Sequence, residues 1–146
     1  MTFTLHPQLA ADSIIIGAFP ISLLLMINDA AYPWFVLVPQ IPNIKDAYQL
    51  SEAQHMAVTR ESRSLCTALM AAFATDIRQA KMNVAALGNM VPQLHIHHIV
   101  RSPADPAWPA PIWGHQLLTP LTKAEIAARI KALLQNLPQG LELFDR

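Results

Sequence analysis

Gln93-Leu94-His95-Ile96-His97-His98-Ile99-Val100-Arg101 packs three of the chain's six histidines into four residues. The rest of the run has the apolar, β-branched character of a buried strand. Side chains on a strand alternate between its two faces. Gln93, His95, His97 and Ile99 therefore share one face, and Leu94, Ile96, His98 and Val100 share the other. A row of Gln, His and His on a rigid sheet is costly to bury without partners. It is also a place where a nucleophile is held still between hydrogen-bonding neighbours.

The flanking sequence supplies the rest of a sheet. Residues 81–87 alternate Met82, Val84 and Ala86 against Lys81, Asn83 and Ala85, and Gly88-Asn89 reads as a hairpin-type turn into a return strand over 91–100. Further upstream, 14–16 and 21–27 read as two short buried strands parted by the turn from Gly17 to Pro20. Asn28 and Asp29 open a loop that ends at Pro33, which has no N–H for a ladder. A further strand spans 34–38 and closes at Pro39. Ser51-Glu52-Ala53-Gln54 has the capping-box form and predicts a long helix to about Ile77. Downstream, Pro103, Pro106, Pro109, Pro111 and Pro120, with Trp108 and Trp113 among them, predict an ordered loop pinned by aromatic rings. Thr122-Lys123-Ala124-Glu125 is a second capping box, opening a helix that ends near Asn136, before Pro138 and Gly140. The expected fold is α+β: an antiparallel sheet of about five strands with one long helix and a C-terminal helix, in a single domain over 1–146.

Composition narrows the function classes. The chain is 53% hydrophobic and only 14% charged, with zero formal net charge. Its basic residues are scattered, which argues against nucleic-acid binding by counterion release. The apolar stretch 13–27 is too short for a membrane span, contains Gly17 and Pro20, and follows Asp12 rather than a basic segment. No membrane association is expected. Cys66 is the single cysteine, so no internal disulfide forms, and the expected compartment is the cytoplasm. Its place beside Leu65 and Leu69 predicts a small core residue rather than a reactive thiol.

The histidine run resembles the signature of the histidine-triad (HIT) superfamily, His-φ-His-φ-His-φ-φ with φ apolar. Two positions depart from it: Gln93 stands at the first histidine and His98 at an apolar position. Residues 24–29, 34–39, Asn83 and Gly88-Asn89 follow the order and rough spacing of the family's strand, loop and hairpin elements. The resemblance covers about 23–101, with 102–146 as a C-terminal extension. Asp105-Pro106-Ala107-Trp108-Pro109 and Trp113-Gly114 look like a bacterial branch of HIT-like hydrolases.

That resemblance implies a nucleotide phosphate site and a homodimer, with no cofactor or metal required. His95 maps to the nucleophile, which would attack an α-phosphorus and form a nucleotidyl-histidine that water resolves. A hydrogen bond donated by the other ring N–H, to a backbone carbonyl for instance, fixes the tautomer such a nucleophile needs. Gln93 and His97 flank it on the same face and are expected to reach phosphate oxygens. Glutamine cannot deliver a proton at neutral pH, which favours a dinucleoside polyphosphate over a phosphoramidate substrate. Asn28 and Asp29 fall where the family contacts ribose hydroxyls, and an ordinary Asx turn explains them equally well. Asn83, Gly88 and Asn89 are candidates for phosphate contact, and Gly88 and Asn89 also suit a plain turn. Trp34 replaces a histidine that supports the triad in many relatives. Trp113 and His115 are candidate lid residues or simple aromatic packing, and His98 is expected to be a packed residue on the far face. Two other readings stay open: a nucleotide-binding module with little catalysis, and a metal site built from His95 and His97 with His115 or Asp29.

Overall fold

The computed structural model describes residues 1–114, 118–137 and 140–144. The elements run α1 (Pro7–Asp12), β1 (Ser13–Ala18), β2 (Ser22–Ile27), β3 (Trp34–Pro39), a 3-10 turn (Ala47–Gln49), α2 (Glu52–Phe73), β4 (Lys81–Ala85), β5 (Ile96–Arg101), α3 (Lys123–Leu134) and β6 (Glu142–Leu143). The strands form one sheet in the order β4-β5-β3-β2-β1-β6, and every described pairing is antiparallel. The α+β class and the two main helices match the expectation. The sixth strand is the addition: β6 pairs with β1 at Gly17, where a Cβ would collide with the Glu142 carbonyl.

The sheet has two covered faces. The central strands β2 and β3 are buried at every residue, which explains their unbroken apolar sequences. On one face Leu24, Met26, Phe35, Leu37 and Val100 pack with Leu65, Ala68 and Leu69 of α2 and Ile130 and Leu133 of α3. On the other, Leu23, Leu25, Trp34, Val36 and Ile99 lie beneath Phe3, Leu5 and Leu9 of the N-terminal segment and Ala107, Ile112 and Trp113 of the proline-rich loop. Both capping boxes form, Ser51 with Gln54 and Thr122 with Glu125. Cys66 on α2 is half-buried, and burial raises its thiol pKa, consistent with an inert side chain.

Several boundaries differ from those expected: β1 runs on through Gly17 to Ala18, both paired with β2, instead of turning at Gly17, and two further differences lie nearer the histidines. Helix α2 stops at Phe73 rather than near Ile77, because Ile77 N–H to Ala74 O and Ala80 N–H to Ile77 O form successive turns that carry the chain back to β4. The tight hairpin at Gly88-Asn89 is replaced by an irregular segment, 86–95, between β4 and β5. Leu94 N–H bonds the Ile44 carbonyl instead of a β4 partner, and Pro92 has no N–H to give. Alternation nonetheless survives through this segment. His97 faces the N-terminal and proline-rich layer, and His98 faces α2.

Candidate active site

His95 stands at the mouth of β5, only 5% exposed, with its Nδ1 2.7 Å from the Gln93 carbonyl oxygen. A carbonyl only accepts, so Nδ1 carries a proton, and in the neutral ring the lone pair is the one on Nε2. Among the described residues Nε2 has no hydrogen-bond partner. A cavity of about 60 Å³, room for a phosphoryl-sized group, is lined by Lys45, Asp46, Gly88, Asn89, Gln93 and His95. Gly88 is required there: a Cβ would collide with His95 Cε1 and crowd Nε2. This is the tautomer and access that a nitrogen nucleophile needs.

His97 is the neighbouring ring, with centroids 4.9 Å apart and nearly edge-on. Its Nδ1 accepts from the Trp34 indole N–H at 2.9 Å, and its Nε2 donates to the Leu87 carbonyl at 2.9 Å. Burial, then the positive charge that His95 can carry, push its pKa from 6.5 to about 4, against the opposing pull of the Leu87 carbonyl. The ring is therefore neutral at physiological pH, and both nitrogens are engaged within the protein. His98 sits on the far face as expected, fully buried, bonded to Ser62 Oγ at 2.8 Å and to the Ile96 carbonyl at 3.0 Å. Burial lowers its pKa to about 4 as well.

Gln93 lines the cavity, and its amide also bonds the N-terminal segment. Oε1 accepts from His6 N–H and Nε2 donates to the Thr4 carbonyl, both at 2.9 Å. His97 thus has no free donor for a phosphate oxygen, whereas the Gln93 amide nitrogen carries two N–H groups and spends one of them on Thr4. Gly88 and Asn89 do join His95 at the cavity. Asn28, Asp29 and Asn83 do not line it. Asn28 Oδ1 accepts from Leu121 N–H and anchors the approach to α3. Asp29 is fully buried, with Oδ1 accepting from Ala31 N–H in an Asx turn and Oδ2 without a partner among the described residues. Arg129 fastens the same turn by donating to the Asp29, Ala30 and Tyr32 carbonyls, each at 2.7 Å. Asn83 Oδ1 accepts from Arg101 Nη1 at 2.8 Å.

Trp113 packs against His97 with centroids 5.3 Å apart, while His115 lies outside the described residues. Lys45 and Asp46 were not marked by any spacing in the sequence: they sit in the loop after β3, and only the fold carries them to His95. Among the described residues, no group of three or more His, Cys, Asp or Glu side chains is arranged to hold a metal ion. No described helix is long and apolar enough to cross a membrane.

The HIT domain pattern matches residues 8–104. A histidine triad protein from Bradyrhizobium japonicum superposes with a TM-score of 0.88 at 39% identity, covering 94% of this chain and 99% of that one. One from Marinobacter aquaeolei VT8 gives 0.85 at 44% identity, with coverage of 94% and 100%. A third, from Sinorhizobium meliloti 1021, gives 0.87 at 35% identity, with coverage of 93% and 98%. No curated protein matches the chain. With the matched pattern spanning most of the chain and a histidine oriented at the mouth of β5, the protein belongs to the HIT domain family.

Proposed function

We propose that this chain is a nucleotide hydrolase or nucleotidyl transferase acting at the α-phosphate of a nucleoside phosphate conjugate, with His95 as nucleophile. HIT domain proteins are nucleotide-binding hydrolases or transferases. The observation that carries the reading is the His95 ring itself: proton held on Nδ1 by the Gln93 carbonyl, Nε2 without a partner among the described residues, and a phosphoryl-sized cavity alongside. Nε2 attacks phosphorus and the bond to the leaving oxygen breaks. Water then attacks the phosphorus of the nucleotidyl-histidine and releases His95. Lys45 and the amides around Gly88 and Asn89 are the groups that would meet the developing negative charge.

The leaving group follows from the proton inventory. Gln93 has no proton to give, and the N–H of His97 is committed to Leu87. A leaving group that departs as a stable anion suits such a site, so a dinucleoside polyphosphate is favoured over an amine-linked conjugate. The same inventory supports a second reading, a nucleotide-binding module with little turnover.

One experiment decides between them. The protein is incubated with a panel of nucleotide conjugates, quenched, and searched by mass spectrometry for a nucleotidyl adduct. We expect the adduct on His95 with phosphoanhydride substrates, and a turnover loss of at least ~10³-fold in His95→Ala with its melting temperature retained. Full activity in that variant rejects the nucleophile, and tight nucleotide binding with no adduct on any substrate favours the binding module.

A further inference from the structure

We propose that Trp34 and His97 form a positioning pair, in which the Trp34 indole fixes the His97 proton on Nε2 and that N–H holds the Leu87 carbonyl so that Gly88 stays seated against the His95 ring. The pair deepens the reading of His95 as nucleophile and rests on it only for its kinetic consequence. Two independent bonds define the tautomer. An indole N–H can only donate, so Nδ1 of His97 must accept from it. A backbone carbonyl can only accept, so Nε2 of His97 must donate to Leu87. A single neutral tautomer satisfies both, and its two partners come from different parts of the chain.

The segment that this N–H holds matters because it has no sheet ladder of its own. Residues 86–95 lie between β4 and β5, and their far end is tied by Leu94 N–H to the Ile44 carbonyl. His97 ties the near end, one residue before Gly88, whose missing side chain leaves room for the His95 ring. Trp34 and Trp113 pack against His97 at centroid distances of 5.5 and 5.3 Å, so the imidazole has no room to turn and exchange its bonds. His97 thus acts on the reaction through the loop and the His95 ring, as a positioning residue rather than a phosphate contact.

Trp34→Phe keeps an aromatic ring and deletes the donor. A buried His97 Nδ1 would then lack its partner, only the Leu87 carbonyl would still favour the proton on Nε2, and the tautomer with the proton on Nδ1, which releases Leu87, gains population. The test is long-range nitrogen–proton NMR of the histidine rings at pH 7, with the Gly88 and Asn89 amides read alongside. In the unaltered protein we expect His97 neutral with its proton on Nε2. In Trp34→Phe we expect the two ring-nitrogen shifts to converge toward a tautomer mixture and the two amides to shift or broaden. Kinetically, kcat for adduct formation should fall roughly 10-fold with KM changed by no more than about twofold, the pattern of lost alignment rather than lost binding. A proton on Nδ1 of His97 in the unaltered protein overturns the pair, and needs no variant to fold. Unchanged ring nitrogens and loop amides in Trp34→Phe overturn it too. If the unaltered protein forms no adduct yet both NMR results appear, the positioning pair stands and the catalytic reading fails alone.

Discussion

Gln93 shows how one side chain changes meaning between a pattern and a fold. Its planar amide presents an acceptor and a donor side by side, which matches the His6 N–H and Thr4 carbonyl of one extended segment. His6 in turn caps α1, its Nδ1 accepting from Gln8 N–H. The residue that orients the nucleophile through its carbonyl therefore also straps the N-terminal segment through its side chain. Gln93→Ala should speed amide hydrogen exchange at His6 by more than 10-fold and cost about 1–2 kcal/mol in stability, since two hydrogen bonds go. Gln93→Glu should be worse than Ala, because it turns a carboxylate oxygen toward the Thr4 carbonyl. Exchange at His6 unaltered in both variants would remove the strap. Strand alternation was enough to place His95 and His97 on one face and His98 on the other. It could not show that Gln93 faces residues 4–6, since a partner so distant in sequence leaves no trace in local periodicity.

At the scale of elements, the proline-rich loop is held by one buried cation. Arg101 closes β5 at 1% exposure, pairs with both oxygens of Asp105 at 2.7 and 3.0 Å, and donates to Asn83 Oδ1 and the Ala110 carbonyl. Its guanidinium also lies 5.8 Å from the ring centroids of Tyr32 and Trp108. Burial alone would raise the Asp105 pKa, but Arg101 together with the Ser102 and Ala107 amides holds its carboxyl below the usual range. Arg101→Leu leaves that carboxylate enclosed without its ion, so urea denaturation should show a loss of about 3–5 kcal/mol, with early proteolytic cleavage within 102–113. A loss below 1 kcal/mol would mean that the prolines alone order the loop. The sequence made this loop legible as ordered, through its prolines and tryptophans, and made both helix starts legible through their capping boxes. Its anchor was not, because Asn83, Asp105 and Ala110 meet Arg101 only after β4 and β5 pair. The same holds for Asn28 and Asp29. Their turn was readable, whereas their partners Leu121 and Arg129 arrive from α3 and its approach.

For the whole molecule, the two histidines that back onto each other across β5 couple folding to pH. His97 and His98 titrate near 4 when folded, against an ordinary value of 6.5, chiefly because both are buried. Between those values the unfolded chain binds protons that the folded chain refuses, so stability is lost as pH falls from about 6.5 to 4. At 1.36 kcal/mol per pH unit, each ring contributes up to ~3 kcal/mol to that loss. Glu61, whose Oε1 accepts from Ile21 N–H, runs the other way: burial raises its pKa, so its share of stability declines as pH rises above 4.5. One carboxyl opposes two imidazoles, and the net expectation is a falling urea midpoint between pH 6.5 and 4. His98→Gln should remove about half of that slope, and a midpoint flat across the range would contradict the burial of both rings. The partition of the sheet has one more consequence. All three tryptophans touch the chemistry-bearing side, Trp34 and Trp113 at His97 and Trp108 at Arg101, while α2 and α3 lie on the reverse. Intrinsic fluorescence therefore watches one side of the sheet and far-ultraviolet circular dichroism chiefly the other, so the native chain carries two separate optical clocks. Whether they keep the same time during denaturation measures directly whether the two sides melt as a single cooperative unit.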